Sequence, residues 1–365
     1  MRFKIDKNEF GNALAYVGGI AERKSTMPIL SNVLIKAEGN VVKCVATDLG
    51  ISVYCVLDAT VTDPGIITVS AKSILDIVKS ISSKDVDIES TENNYLNING
   101  GNAKFKIVAL SGDEYPSVPV IPESGFKNIK CSVLNEMISK TYFSILNGES
   151  HRPAISCGLL EYADGKLRMV SIDGHRLSIV DHENIDLAIS KQTLVPRKSI
   201  LEIKRIFNAQ DADCEIAIVD NVMFLRAKNI TMATRLLDTH YPEYGAIIPK
   251  EFKRQITVKR DDLRGALKRV LIVSQDSKAT SISLTSGLLV ISCESESVGQ
   301  GKEEIYIDYD LEDFEIKYNG SYLLDAISCI EDDYVCIGLN EHDQPCVIKS
   351  NDNDSFISVI MPMLT

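Results

Sequence analysis

The segment Ser171-Ile172-Asp173-Gly174-His175-Arg176 places a hydroxyl, a carboxylate and an imidazole within six residues. Those are the three groups a nucleophilic hydrolase needs. Triad members meet across a fold, however, and are seldom neighbours on one strand and turn. The segment therefore reads better as a structured turn serving a binding surface, with a hydrolase centred on Ser171, Asp173 and His175 as the enzyme alternative. Other catalytic constellations are missing. The chain has no GxxxxGK(S/T) phosphate loop, no HExxH and no GxSxG. Its five histidines (151, 175, 182, 240, 342) lack metal-ligand spacing. Its nine cysteines (44, 55, 131, 157, 214, 293, 329, 336, 346) are scattered without a CxxC pair. That usage fits small buried thiols in a reducing compartment better than a disulfide framework or zinc site. No catalytic residue, cofactor or metal is expected.

The elements that position this turn repeat along the chain. A strand-then-helix pattern, a β-rich run followed by a polar residue and apolar residues at helical spacing, occurs at 3–20, 129–146 and 256–273. A second version occurs at 67–82, 193–208 and 316–331. VSAKSIL (69–75) and VPRKSIL (195–201) differ at only two of seven positions. Tyr115-Pro116 is matched by Tyr241-Pro242, Ile121-Pro122 by Ile248-Pro249, and the third copy stops at Met361-Pro362. Several features share one offset, so the 365 residues are three copies of a unit, each built from two half-units. Segments 103–110, 166–172, 229–237 and 288–295 read as strands between turn signals such as Asp164-Gly165. The expected fold class is α+β: three pseudo-repeated domains at 1–125, 126–250 and 251–365, each with two helices packed on antiparallel sheets. Linkers are expected near 122–127 and 249–254.

With 39 basic and 51 acidic residues the net charge is −12, which taken whole argues against nucleic acid, since Lys and Arg supply that affinity. Sorted by segment it says something else. Windows 7–24, 72–84, 127–140, 196–206, 259–269 and 317–325 together carry +11, leaving −23 elsewhere. A positive helical surface and a negative sheet surface follow. Equivalent junctions that continue around an axis close into rings. Two chains would bring twelve helices, which at ~9 Å spacing enclose a hole about 34 Å across, wide enough for duplex DNA. No base-reading motif appears, so contacts would fall on phosphates without sequence preference. No apolar run approaches the ~18 residues of a membrane helix. The start, MRFKIDKNEF, places charges where a signal peptide needs an apolar core, so a cytoplasmic protein is expected.

The threefold repeat, TMPILSN (26–32), IDGHRLS (172–178), VPRKSI (195–200), YPEY (241–244) and VIMPM (359–363) resemble the bacterial DNA polymerase III β subunits, the replicative sliding clamps. The resemblance spans the whole chain. It implies a head-to-tail homodimeric ring that encircles duplex DNA, without catalytic residues of its own, and tethers the polymerase for processive synthesis. The implied partners are the replicative polymerase catalytic subunit, the clamp loader and other proteins bearing a short motif with a glutamine and apolar or aromatic ends. Carried over residue by residue, the motif pocket would be walled by Ile155, Ile172, Gly174, His175, Arg176, Leu177, Pro242, Ile247, Val359 and Met361. A second subsite would use Arg152, Tyr322, Pro362 and Met363. Lys24, Lys72, Lys79, Arg197 and Lys198 match DNA-facing positions of the family, and the charge pattern adds Arg264 and Lys268. The ring interface would pair Phe105 and Ile107 with Ile272 and Val273. The chain departs from the best-known members at Ile172, where they have Thr, at NGESHRPA (147–154), and at its MLT end. Apart from the resemblance, aligned copies read TDLGI (47–51), IDGHR (172–176) and CESES (293–297). Only the middle copy has Gly-His-Arg, so something besides the shared fold requires it. A scaffold that binds protein motifs but not DNA is a further alternative.

Overall fold

The computed structural model describes residues 1–21, 26–148, 151–185, 187, 189, 192–208, 212–274, 278–351 and 353–363. All six strand-then-helix segments fold as such. The helices are α1 (Lys7–Gly18), α2 (Ala71–Ser80), α3 (Cys131–Thr141), α4 (Arg197–Ile206), α5 (Arg260–Val270) and α6 (Gly320–Ser328), each directly following a strand. Polar residues mark the switch from strand to helix. Asp6 Oδ1 accepts from Asn8 N and Glu9 N at 2.8 and 3.0 Å, Ser70 Oγ from Ser73 N, and Asn319 Oδ1 from Ser321 N, satisfying amides that a helix start leaves orphaned. Buried faces follow helical spacing: Phe10, Leu14 and Val17 on α1, and Leu263, Leu267 and Val270 on α5. Each such side chain contributes about 1.5–3 kcal/mol when fully buried. Strands Lys166–Ile172 and Leu288–Ser295 coincide with the segments expected, and Ala103–Ser111 and Ile230–Arg235 differ only at their ends.

The chain forms two compact units, Met1–Ser132 with Glu202–Leu236, and Val133–Leu201 with Leu237–Thr365. The middle repeat contributes to both because each of its halves extends a sheet begun by another repeat. In the first unit a thirteen-stranded sheet crosses from one repeat to the next where Ile51–Asp58 pairs antiparallel with Ile230–Arg235, Ile51 opposite Thr234 and Cys55 opposite Ile230. In the second unit an eight-stranded sheet does the same where Arg176–His182 pairs with Phe356–Ile360, Arg176 opposite Ile360 and Val180 opposite Phe356. These seams are one feature displaced by a repeat, down to single bonds. Arg235 N donates to Gly50 O at 2.9 Å in the first, and Met361 N to His175 O at 2.8 Å in the second. The corresponding strand of the third repeat, Gly299–Tyr306, ends its four-stranded sheet, with Leu288–Ser295 on one side and no strand on the other among the described residues.

The helices as folded carry less positive charge than the sequence windows do. Their net charge is +5, with α4 at +3 and α6 at −1. Lys84, Lys127, Lys130, Lys259 and Lys317 belong to flanking strands and turns. Several helical cations are also paired. Arg205 Nε lies 2.6 Å from Glu202, Arg269 grips Glu303 through two bonds, and Lys140 Nζ is 2.6 Å from Glu136. The segregation of charge is therefore real in sign and smaller in size.

On α3, Glu136 lies 3.2 Å from His182 Nε2 as well as beside Lys140. The close approach of His182, with Lys140 adding to it, outweighs burial and holds the Glu136 carboxyl down at about 2. A carboxylate with a depressed folded-state pKa contributes stability that is present above its ordinary value of 4.5 and fades as pH falls toward 2. The destabilisation caused by Glu136→Gln, measured by urea unfolding, should accordingly be larger at pH 6 than at pH 3. An equal cost at both values would refute the ion-pair account.

Candidate functional site

The turn singled out by the sequence is built by its own aspartate. Asp173 Oδ1 accepts from His175 N and Arg176 N, both at 3.0 Å. The first repeat makes the same turn, Asp48 Oδ1 accepting from Gly50 N and Ile51 N. The position after the aspartate has positive φ in both, +74° at Leu49 and +93° at Gly174. Backbone geometry is thus common to the repeats, while the glycine leaves open space, with no atom within 4 Å of where a Cβ would stand. The hydrolase alternative fails here. Ser171 is fully buried with its hydroxyl donating to Thr141 O at 2.5 Å, Asp173 is spent on the turn and on Arg176, and His175 is exposed.

Around this turn the second unit gathers many of the expected groove residues. Ile155, Ile172, Leu177 and Val359 belong to one buried apolar cluster, and Ile247 packs against it from the short turn Tyr244–Ile247. That turn is pinned by Tyr244, whose hydroxyl donates to Glu161 and accepts from Arg168, itself doubly bonded to Asp181 at 2.7 Å. Burial first, and then Glu161, push the Tyr244 hydroxyl up to about 12, so it remains a donor. Pro242 is half-buried beside buried Tyr241. The C-terminal segment runs beside the turn. Met361 is bonded to His175 O yet 38% exposed, and Met363 N donates to Lys317 O at 2.8 Å. Pro362 and Met363 are half-buried. Leu364 lies outside the described residues. Gly174 is exposed, as is Arg152, which precedes the turn Pro153–Ser156 and is not part of the apolar cluster.

Arg176 answers why the middle repeat differs. Its guanidinium pairs with Asp173 at 3.1 Å and with Asp325 of α6 at 2.7 Å, donates to Phe143 O, and lies 4.0 Å from the centre of the Tyr322 ring. The side chain is only 10% exposed. It therefore joins the turn to α6 and is not a free charge awaiting a ligand. Tyr322 packs against the core cluster of the third repeat as well. Sequence reasoning missed Asp325, although it is the one charged side chain on α6. It also missed Phe143, which acts through a carbonyl that no residue type announces.

Of the DNA-facing candidates, Lys72 and Lys79 on α2, Lys198 on α4 and Lys268 on α5 are exposed, and Arg264 is half-exposed. Arg197 is half-buried with Nη1 donating to Tyr142 O and Ile145 O. Lys24 lies outside the described residues. Of the interface candidates, Phe105 is 36% and Ile272 70% exposed. Val273 stands against the edge strand, 3.2 Å from where a Cβ on Gly301 would be. On the strand Ala103–Ser111, one side pairs with Tyr95–Gly100, while among the described residues the other pairs only through Ala109, Leu110 and Ser111. Among the described residues no group of three or more His, Cys, Asp or Glu side chains could hold a metal, and no helix is long and apolar enough to cross a membrane. All nine cysteines are free thiols.

Comparison with known proteins matches these features across the chain. Residues 1–119 match the family model of the DNA polymerase III beta subunit N-terminal domain, 128–243 its central domain and 245–364 its C-terminal domain. The chain is 31% identical to the beta sliding clamp of Pseudomonas aeruginosa over 367 residues, with all of both chains covered. The crystal structure of the Pseudomonas aeruginosa DNA polymerase III subunit beta superposes with a TM-score of 0.94 at 30% identity, both chains fully covered. The DNA polymerase sliding clamp of Bacillus subtilis gives 0.95 at 25% identity, covering 100% of this chain and 99% of that one. With its repeats, its seams and its three matched domains, the chain belongs to the DNA polymerase III beta subunit family, the beta sliding clamps.

Proposed function

We propose that two copies of this chain close head to tail into a ring around duplex DNA and act as a processivity factor, holding the replicative polymerase and other motif-bearing partners to the template. The observation that carries the reading is the unpaired third seam. Two repeats pass their sheets on through equivalent strands, 51–58 to 230–235 and 176–182 to 356–360. The third equivalent, Gly299–Tyr306, has an unpaired edge among the described residues, and so do residues 103–108, the repeat equivalent of 230–235 and 356–360. A second copy supplies each with the other, which is a heterologous contact that closes. The two strands also differ in the sign of their charge, with Lys104 and Lys106 on one and, on the other, Glu303 and Glu304 against Lys302, although Glu303 is already held by Arg269 and Glu304 by Lys302.

In this reading 1–125, 126–250 and 251–365 are the three domains, and Phe105, Ile107, Ile272 and Val273 lie at the junction of the two copies. Lys72, Lys79, Lys198, Arg264 and Lys268 offer charge to phosphates without reading bases. The groove of Ile155, Ile172, Leu177, Ile247 and Val359 takes the apolar end of a partner peptide. A replication factor of this kind works in the cytoplasm. Retention is topological, so the protein loaded on a closed circular duplex should stay through gel filtration at 0.3 M salt and leave within minutes once the circle is cut. Equal loss from circular and linear DNA would overturn the ring, and retention that salt alone removes would point to simple phosphate binding.

A further inference from the structure

We propose that Arg197 is a positioning residue of the partner groove, acting through the segment that follows α3. The proposal rests on reading that groove as a peptide site. α3 ends at Thr141, and the chain continues through the turn Tyr142–Ser144 to Ile145. The last carbonyls of a helix have no partner inside it. Here side chains from three other elements take the last of them and the carbonyls of the turn that follows. Ser171 Oγ donates to Thr141 O, Arg176 Nη2 to Phe143 O, and Arg197 Nη1 to both Tyr142 O at 2.9 Å and Ile145 O at 2.8 Å. Two guanidinium groups thus sit at the negative end of the helix dipole, where cations are favoured. Ser144 and Ser178 hydroxyls, 2.7 Å apart, hold the turn from a further side.

The residue after this cap is groove wall. Leu146 N donates to Ile155 O at 3.0 Å, and the Leu146 side chain packs on the cluster containing Ile155, Ile172, Leu177 and Val359. Arg197 therefore sets where Ile145 ends, hence where Leu146 and Ile155 stand. Arg197 opens α4 beside exposed Lys198, so adjacent residues divide the work: the lysine faces outward, and the arginine turns inward to carbonyls. Both bonds leave the one nitrogen Nη1, which the planar guanidinium holds 2.9 and 2.8 Å from the two carbonyls; a lysine at 197 would keep the charge on a shorter, more flexible stem that does not fix the nitrogen there.

The test uses the full-length protein, a fluorescein-labelled peptide with a glutamine and a Leu-Phe end, and no DNA. Arg197→Ala should weaken peptide binding about tenfold and Arg197→Lys about threefold or more, from the loss of charge-assisted bonds. Both should also speed hydrogen exchange at the Leu146 and Ile155 amides while the oligomer mass stays as in the wild type. If Arg197→Ala unfolds, Arg197→Lys is read alone. Binding within about twofold of wild type in both variants would overturn the proposal, as would full rescue by lysine, which would reduce Arg197 to a charge. Failure of the wild type to bind the peptide would overturn the groove reading itself, and the proposal with it.

Discussion

Replacing Phe105 and Ile107 together by aspartate is expected to turn the dimer into a monomer at micromolar concentration and to abolish retention on circular DNA. Both residues lie on the strand Ala103–Ser111, on the stretch whose outer edge has no strand partner among the described residues. Phe105 is 36% exposed, so its substitution is tolerable to the folded monomer. Across a closed interface two carboxylates would be desolvated without partners, at several kcal/mol each. At about 1.4 kcal/mol per tenfold, the association should weaken more than a thousandfold. Native mass measurement reads this directly. A variant that stays dimeric with an unchanged melting temperature would locate the junction elsewhere.

The second large effect is expected at Arg176. Removing its side chain as Arg176→Ala leaves the 10% exposed Asp173 without its cation and Phe143 O without a donor, and takes the guanidinium off the Tyr322 ring. Breaking a buried pair from one side costs about 3–5 kcal/mol. Asp325→Asn should cost less, because Asp325 is 44% exposed and the asparagine can still accept the bond. Urea unfolding of the two variants and of the double variant closes a cycle, in which the pair should show a coupling of about 1–3 kcal/mol. No coupling would mean that Arg176 serves the turn alone. Peptide affinity should fall with Arg176→Ala even though the guanidinium is occupied, since the turn and α6 would no longer be joined.

Much of the fold was readable before any coordinates because it is written three times. The starts of α1, α2 and α6 coincide with a capping side chain, Asp6, Ser70 and Asn319, and the repeat offset turned weak strand signals into a consistent register. The residues of the proposed groove were readable only through family resemblance, since Ile155, Leu177 and Val359 look like any core residues. Charge was readable in sign but not in amount. A window counts Lys84 or Lys317 toward a helix that the fold assigns to a flanking segment, and no window shows that Arg269 is already held by Glu303. Asp325, Phe143 O and the two hydrogen bonds from Arg197 Nη1 depend on contacts between residues 33 to 149 positions apart, which no local pattern encodes.

The seams also differ in kinetics. Two of them join strands of a single chain, so when either frays its halves remain tethered and meet again at an effective concentration in the millimolar range. The third would join separate chains, and nothing tethers its halves except the other interface of the same ring. Its edge strand carries glycine at 299 and 301, which pack little side chain across the junction. Opening for DNA entry, and dissociation on dilution, should therefore begin where Gly299–Tyr306 meets the strand of residues 103–108, while the intrachain seams at 230–235 and 356–360 stay shut.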